Sequence, residues 1–153
     1  MSALTCCVTG HRELPPGRYL EIHSALREEV CRAVEDGYTR FVFGFASGID
    51  LIFAEIVDEF AQENPAVELH AAIPYRGRLK TRDPLFRRLI ARCKNVLVYS
   101  ESYSSHCYFL RNRAMVEQSQ RVIAVFDGRS RGGTAYTIRR AYEQGRDVRL
   151  ILI

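Results

Sequence analysis

The sequence predicts an α/β fold: a three-layer α/β/α sandwich around a mostly parallel sheet of about six strands. Three observations carry this reading. Short apolar runs alternate with amphipathic helical stretches from one end of the chain to the other. The strand-like runs are apolar throughout instead of alternating, as in parallel strands covered on both faces. Three of them end in glycine-bearing turns that lead toward a helix: Thr9-Gly10-His11-Arg12, Gly44 through Gly48 to Asp50, and Asp127-Gly128 leading to Gly132-Gly133-Thr134.

The elements follow in order. Leu4 to Val8 is the first strand. Arg18 to Glu35 is a helix with Tyr19, Ile22, Leu26, Val30 and Val34 on one stripe, and Gly37 ends it. Arg40 to Phe43 is the second strand. The next helix starts near Gly48 and runs to about Gln62, with Ile49, Ile52, Phe53, Ile56, Val57 and Phe60 on a broad apolar face. Val67 to Ile73 is the third strand. Asp83 and Pro84 form an N-cap and first helical residue, and Leu85, Phe86, Leu89 and Ile90 give that helix its apolar side. Asn95 to Tyr99 is the fourth strand and Tyr108 to Gln118 the fourth helix. Arg121 to Phe126, Thr134 to Glu143 and Asp147 to Ile153 complete the chain as strand, helix and strand. Such alternation implies right-handed crossovers. Loops longer than the usual ~2–6 residues lie at Glu13 to Gly17, Tyr75 to Arg82 and Ser100 to His106. All three follow strands, so they gather at the carboxyl edge of the sheet, where open α/β sheets hold ligands.

Composition narrows the class. A chain of 153 residues suits a single domain spanning 1–153 and buries enough surface to need no staples. No apolar run reaches the ~20 residues of a membrane helix, and the N-terminus lacks a signal-peptide pattern, which implies a soluble cytoplasmic protein and no membrane partner. The net charge of +4 fits an anionic partner without demanding nucleic acid. Five cysteines show no CxxC pair and no zinc spacing, consistent with a reducing compartment and small core or surface roles. No His/Cys/Asp cluster has metal-ligand spacing, so neither metal nor cofactor is expected.

The glycine turns carry the chemistry. A strand that ends in a turn and enters a helix leaves backbone N–H groups aimed at one spot, and the helix dipole favours an anion there. Thr9, Gly10, His11 and Arg12 form the first such loop. Gly10 permits a tight turn and Arg12 can fork onto a phosphate, while His11 suits a structural hydrogen bond better than a general base. Ser47, Gly48 and Asp50 open the second helix. Either Ser47 or Asp50 caps its free N–H groups, or those groups face a ligand and Asp50 meets a ribose. Arg111, Asn112 and Arg113 lie on the fourth helix. Residues i and i+2 do not share a helix face, so one arginine can enter a pocket while the other meets solvent. Asp127, Gly128, Gly132, Gly133 and Thr134 form the last loop, where Gly133 would let a backbone amide approach a phosphate. Asp127 would bind ribose, pair with an arginine or hold the turn. The basic residues Arg76, Arg78, Lys80 and Arg82 either cover an anionic ligand, touch nucleic acid or form a solvated loop. Tyr75, Tyr99 and Tyr103, near strand ends, either stack on a base or sit at the rim.

These motifs resemble the SLOG superfamily of Rossmann-like proteins, which includes DprA and the Lonely Guy phosphoribohydrolases. The likeness is greatest to its small YspA/YpsA-type members. It covers almost the whole chain, in order: Val8-Thr9-Gly10-His11-Arg12, then Ala46 to Asp50 with Ala54-Glu55, then Arg111-Asn112-Arg113 with Met115, then Asp127-Gly128 with Gly132-Gly133-Thr134. It implies a Rossmann-like sheet that binds a nucleotide or nucleotide-derived ligand. Lonely Guy enzymes carry Gly-Gly-x-Gly-Thr-x-x-Glu. Here Ser130 and Arg131 replace the first two glycines, and Thr137 stands where the glutamate would be. Threonine is no general acid or base near neutral pH.

The sequence therefore favours a domain that binds a nucleotide-like small molecule, in the manner of a ligand sensor, through Thr9 to Arg12, Ser47 to Asp50, Arg111 to Arg113, Asp127-Gly128 and Gly132 to Thr134. One alternative is N-glycosidic hydrolysis of nucleoside monophosphates, with Glu55, Asp127 and Arg113 as the catalytic candidates. Another is a DprA-like single-stranded nucleic-acid module using the Arg76 to Arg82 loop, ranked lower for want of interleaved aromatics. A homo-oligomer is compatible with the chain.

Overall fold

The computed structural model describes residues 3–46 and 48–153. Ser47, one of the candidate ligand residues, lies outside the described residues. The elements are β1 (Leu4–Thr9), α1 (Tyr19–Glu35), β2 (Tyr38–Phe43), α2 (Ile49–Glu63), β3 (Glu68–Ile73), a short 3-10 helix (Arg76–Lys80), α3 (Pro84–Arg92), β4 (Asn95–Val98), α4 (Cys107–Gln118), β5 (Arg121–Phe126), α5 (Gly133–Glu143) and β6 (Asp147–Leu152).

The strands form one sheet in the order β4-β3-β2-β1-β5-β6, and every neighbouring pair is parallel. This is the expected Rossmann-like α/β sandwich. Helices α1, α2 and α3 cover one face. Their side chains Ile22, Leu26, Val30, Ile52, Phe53, Ile56, Phe86 and Leu89 pack on Cys6, Val8, Phe41, Phe43, Leu69, Ile73 and Ile123. Helices α4 and α5 cover the other, where Met115, Val116 and Ala141 meet Cys7, Val42, Ala72 and Val122. Consecutive strand residues supply opposite faces, which is why Cys6 and Cys7 enter different layers. Burial raises both thiols, Cys7 to about 12, so neither is a reactive thiolate.

The chain winds outward from β1 to β4, then crosses back to place β5 on the other side of β1. The loop after β1 leads to a helix on one face and the loop after β5 to a helix on the opposite face. A crevice opens between them, at the topological switch point.

Local signals held at several boundaries. The Asp83 side chain accepts the N–H of Leu85 at 3.0 Å and Pro84 begins α3. Three details differ from expectation. The buried stripe of α1 runs Ile22, Leu26, Val30 and Ala33, while Tyr19 at its exposed first turn packs at a tilt against His23 instead. Strand β2 begins at Tyr38 because Leu4 pairs with that residue. The Tyr75 to Arg82 segment is not an open loop. Its 3-10 helix is fastened by Arg76, which holds Glu101 at 2.7 Å, and by the Arg76 N–H on the Ser100 carbonyl at 3.0 Å. Among the described residues, no helix is long and apolar enough to cross a membrane.

Candidate functional site

The loop after β1 is locked against both neighbours. A Cβ on Gly10 would lie 2.6 Å from the Ile49 side chain, so only glycine lets β1 and the start of α2 approach this closely. His11 is buried, its ring stacks on Phe126, and its Nε2 accepts the backbone N–H of Asp127 at 3.2 Å. That bond ties the end of β1 to the end of β5. Burial holds the His11 pKa below its ordinary value, and the Asp127 carboxylate opposes the shift. The same Nε2 lies 3.3 Å from Asp127 Oδ1, a contact that turns attractive only when the ring is protonated. Asp127 itself accepts from the Arg129 guanidinium at 2.5–3.0 Å and from the Arg129 N–H at 3.0 Å, which holds its carboxyl well below the usual range.

The loop after β2 is strained and clamped. Phe45 has φ 58°, a left-handed conformation costly for a bulky side chain. Its fully buried ring sits between Phe43 and Phe86, with centroids 4.3 and 4.4 Å away. Two arginines hold the carbonyls of this turn: Arg111 donates to Gly44 O and Arg78 to Phe45 O, each at 2.6 Å. A Cβ on Gly44 would fall on the Arg111 guanidinium, and one on Gly48 would fall on the Arg12 carbonyl. Asp50 reaches back to accept the Ala46 N–H at 3.0 Å. It is buried, and desolvation raises its pKa, with Arg111 offsetting part of the effect.

Helix α4 supplies the centre. Arg111 is only 5% exposed and its Nε donates to Asn112 Oδ1 at 2.7 Å. Arg113, two residues on, is exposed and pairs with Glu117 at 3.1 Å. Tyr108, one turn before Arg111, receives two cations on its ring: Arg12 at 5.1 Å and Arg111 at 5.6 Å. Tyr75 and Tyr103 pack edge-on around it, at 6.4 and 6.3 Å. Tyr99 turns away into the α4–α5 core.

Helix α5 starts without a side-chain cap. Gly132 carries the positive φ, 105°, whereas Gly133 has no left-handed backbone. Thr134 is buried, and Thr137 is spent on its own helix, donating to the Gly133 carbonyl at 2.8 Å.

These pieces surround one cleft with two lobes. The larger, about 490 Å³, is lined by Thr9, Gly10, His11, Asp50, Asn112, Gly133 and Thr134, with Phe109, Met115 and Arg129. The smaller, about 340 Å³, lies under the 3-10 helix and is lined by Leu51, Pro74, Tyr75, Arg78, Thr81, Asp83 and Phe86. Arg12, Ala46, Tyr108 and Arg111 line both.

The structure thus gathers Thr9 to Arg12, Asp50, Arg111, Asn112, Gly133 and Thr134 at the cleft. Gly48 lies behind it, against the Arg12 carbonyl, while Asp127, Gly128 and Gly132 shape the turns into and out of the rim. Arg113 is not on the cleft wall. Glu55 is elsewhere, paired with Arg88 at 3.2 Å over a separate groove between α2 and α3. Tyr108 was not singled out in the sequence. Its spacing of three from Arg111 on α4 was the available signal. Among the described residues, no group of His, Cys, Asp or Glu is placed to hold a metal.

Comparison with known proteins gives the family and the fold. The family model described as "YspA SLOG family" matches residues 6–152. A UPF0398 protein of Bacillus thuringiensis (strain Al Hakam) is 25% identical over 151 residues, covering 90% of this chain and 82% of the relative. A UPF0398 protein of Bacillus cereus (strain AH187) is similar to the same extent, again 25% identical with coverages of 90% and 82%. The X-ray structure of TM1055, a structural genomics target, superposes with a TM-score of 0.63 at 16% identity, over 95% of this chain and 72% of that one. At that identity the likeness is one of fold.

Proposed function

The chain belongs to the YspA SLOG family, and we propose that its cleft binds a nucleotide or nucleotide-derived ligand, as a ligand-sensing domain does. The observation that carries this is the pairing of Arg12 and the buried Arg111 over Tyr108, at the mouth of the β1/β5 crevice. Among the described residues the buried Arg111 guanidinium makes no salt bridge, although the Asp50 carboxylate acts on its charge, and it suits a phosphate that arrives with the ligand. The uncapped start of α5 adds backbone donors beside Gly133, and Thr134 adds a hydroxyl. Asp50 gives an acceptor for ribose hydroxyls. A volume of about 490 Å³ falls within the usual range for small-molecule sites.

The hydrolase reading has less support. Glu55 lies outside the cleft and Asp127 is held by Arg129. The nucleic-acid reading also has less, because Arg76 is paired with Glu101 and Arg78 points inward to the Phe45 carbonyl.

Isothermal titration against nucleoside mono-, di- and triphosphates, cyclic nucleotides and ADP-ribose tests the proposal. At least one should bind, with Arg12→Ala weakening it and Arg113→Ala leaving it unchanged. Silence across the panel from a folded protein refutes it.

A further inference from the structure

The two lobes differ in chemistry but share their cationic centre. The partition between them is Arg12, Tyr108 and Arg111, with Ala46, and these four line both sides. Each lobe reaches the ~300 Å³ at which small-molecule sites begin, at about 490 and about 340 Å³. The larger offers Asp50, Asn112 and Thr134 to the edges and hydroxyls of a nucleoside. The smaller is walled by Leu51, Tyr75 and Phe86, with Thr81 and Asp83 as oxygen acceptors and Arg78 at its back.

A ligand that ends in a single phosphate fills one lobe and stops at the partition. A diphosphate esterified at both ends places one negative charge on each phosphorus, matching two guanidinium groups, and carries a second group onward. Resting on the nucleotide-binding reading, we infer that the cleft is built for a nucleoside diphosphate ester. Its P–O–P linkage lies at Arg12 and Arg111, its nucleoside in the larger lobe, and a sugar-sized, hydroxyl-bearing group in the smaller lobe under the 3-10 helix. Thr81 and Asp83 meet the hydroxyls, and Tyr75 closes over them.

AMP, ADP and ADP-ribose are the probes, titrated calorimetrically into the wild-type chain, Thr81→Phe and Arg78→Ala, with thermal melts of each. Thr81→Phe fills the smaller lobe from a half-buried position, at the loss of the bond that the Thr81 hydroxyl accepts from the Asp83 N–H. Arg78→Ala removes its cation but also frees the Phe45 carbonyl, so Thr81→Phe remains decisive if Arg78→Ala fails to fold. In the wild-type chain ADP-ribose should bind at least about tenfold tighter than AMP. In Thr81→Phe that advantage should vanish while AMP binds as before. Equal affinity for AMP and ADP-ribose, or a variant that weakens both alike, overturns the two-lobe assignment and leaves nucleotide binding standing. Absence of binding by all three overturns both.

Discussion

Two glycines, Gly133 on the cleft wall and Gly48 behind it, should respond to alanine with opposite signs. Gly48 precedes α2 at φ 77° and ψ −122°, and a Cβ there would collide with the carbonyls of Arg12 and His11, which are backbone atoms of the loop after β1. The conformation alone costs about 1–3 kcal/mol for a residue with a side chain, and the collision adds to it. A loss of about 2 kcal/mol or more lowers the melting temperature of a chain this size by roughly 4–8 °C. The same collision pushes Arg12 from its place over Tyr108, so anion binding should fall with stability. Gly133 is different. Its backbone is not left-handed, and the nearest atom to an added Cβ is Asn112 Nδ2 at 3.7 Å, an ordinary contact. Alanine there restricts the unfolded chain and should stabilise by about 0.4–1 kcal/mol, raising the melt by roughly 1–4 °C. Its methyl group nonetheless enters the larger lobe, so ligand affinity should drop while stability rises. Circular dichroism melts of both variants, with calorimetric titration, make the comparison. A Gly133→Ala chain that melts lower than wild type, or a Gly48→Ala chain that melts with it, refutes the reasoning.

Three further outcomes follow from the same geometry. Burial raises the Asp50 pKa above 3.8, so its ionised form is penalised in the folded state and stability is lost as pH rises through the folded value; Asp50→Asn keeps an acceptor for the Ala46 N–H and should melt higher than wild type near neutral pH, with the gap closing below pH 3.8, and a pH-independent gap argues against this. Arg111→Met should cost about 1.5–3 kcal/mol in urea denaturation, the worth of a charge-assisted bond to the buried Gly44 carbonyl, while Arg113→Met should stay within about 0.5 kcal/mol, and equal losses would contradict the placement of the two side chains. Burial depresses the His11 pKa below 6.5, so protonation favours the unfolded chain and stability falls as pH drops below that value; an NMR titration midpoint above 6.5, or a His11→Gln variant with an unchanged pH profile, would oppose it.

The order of elements, their types and the three-layer class were legible in the sequence, because each depends on periodicity and turn chemistry within a dozen neighbouring residues. The Asp83-Pro84 start of α3 belongs to this local level, whereas the need for glycine after β1 and before α2 is set by Ile49 and by the Arg12 carbonyl, both far away in the chain. The candidate site was legible only in part. Helical spacing says that Arg111 and Arg113 face different ways, but not which one faces the protein. That depends on α4 crossing back over the sheet to bring Arg111 to Gly44, 67 residues away in the chain. Glu55 shares a motif with Asp50 yet belongs to a different surface, since five residues along α2 turn the side chain toward α3. Phe45 gives no local sign of its left-handed backbone. Packing between Phe43 and Phe86 and two arginines on the turn impose it. The strand order β4-β3-β2-β1-β5-β6 was equally beyond local reading. Short-range physics determines what each segment is and which of its faces is apolar. The crossovers decide which polar groups share one cleft, because only long-range packing sets distances between residues that the chain itself keeps far apart.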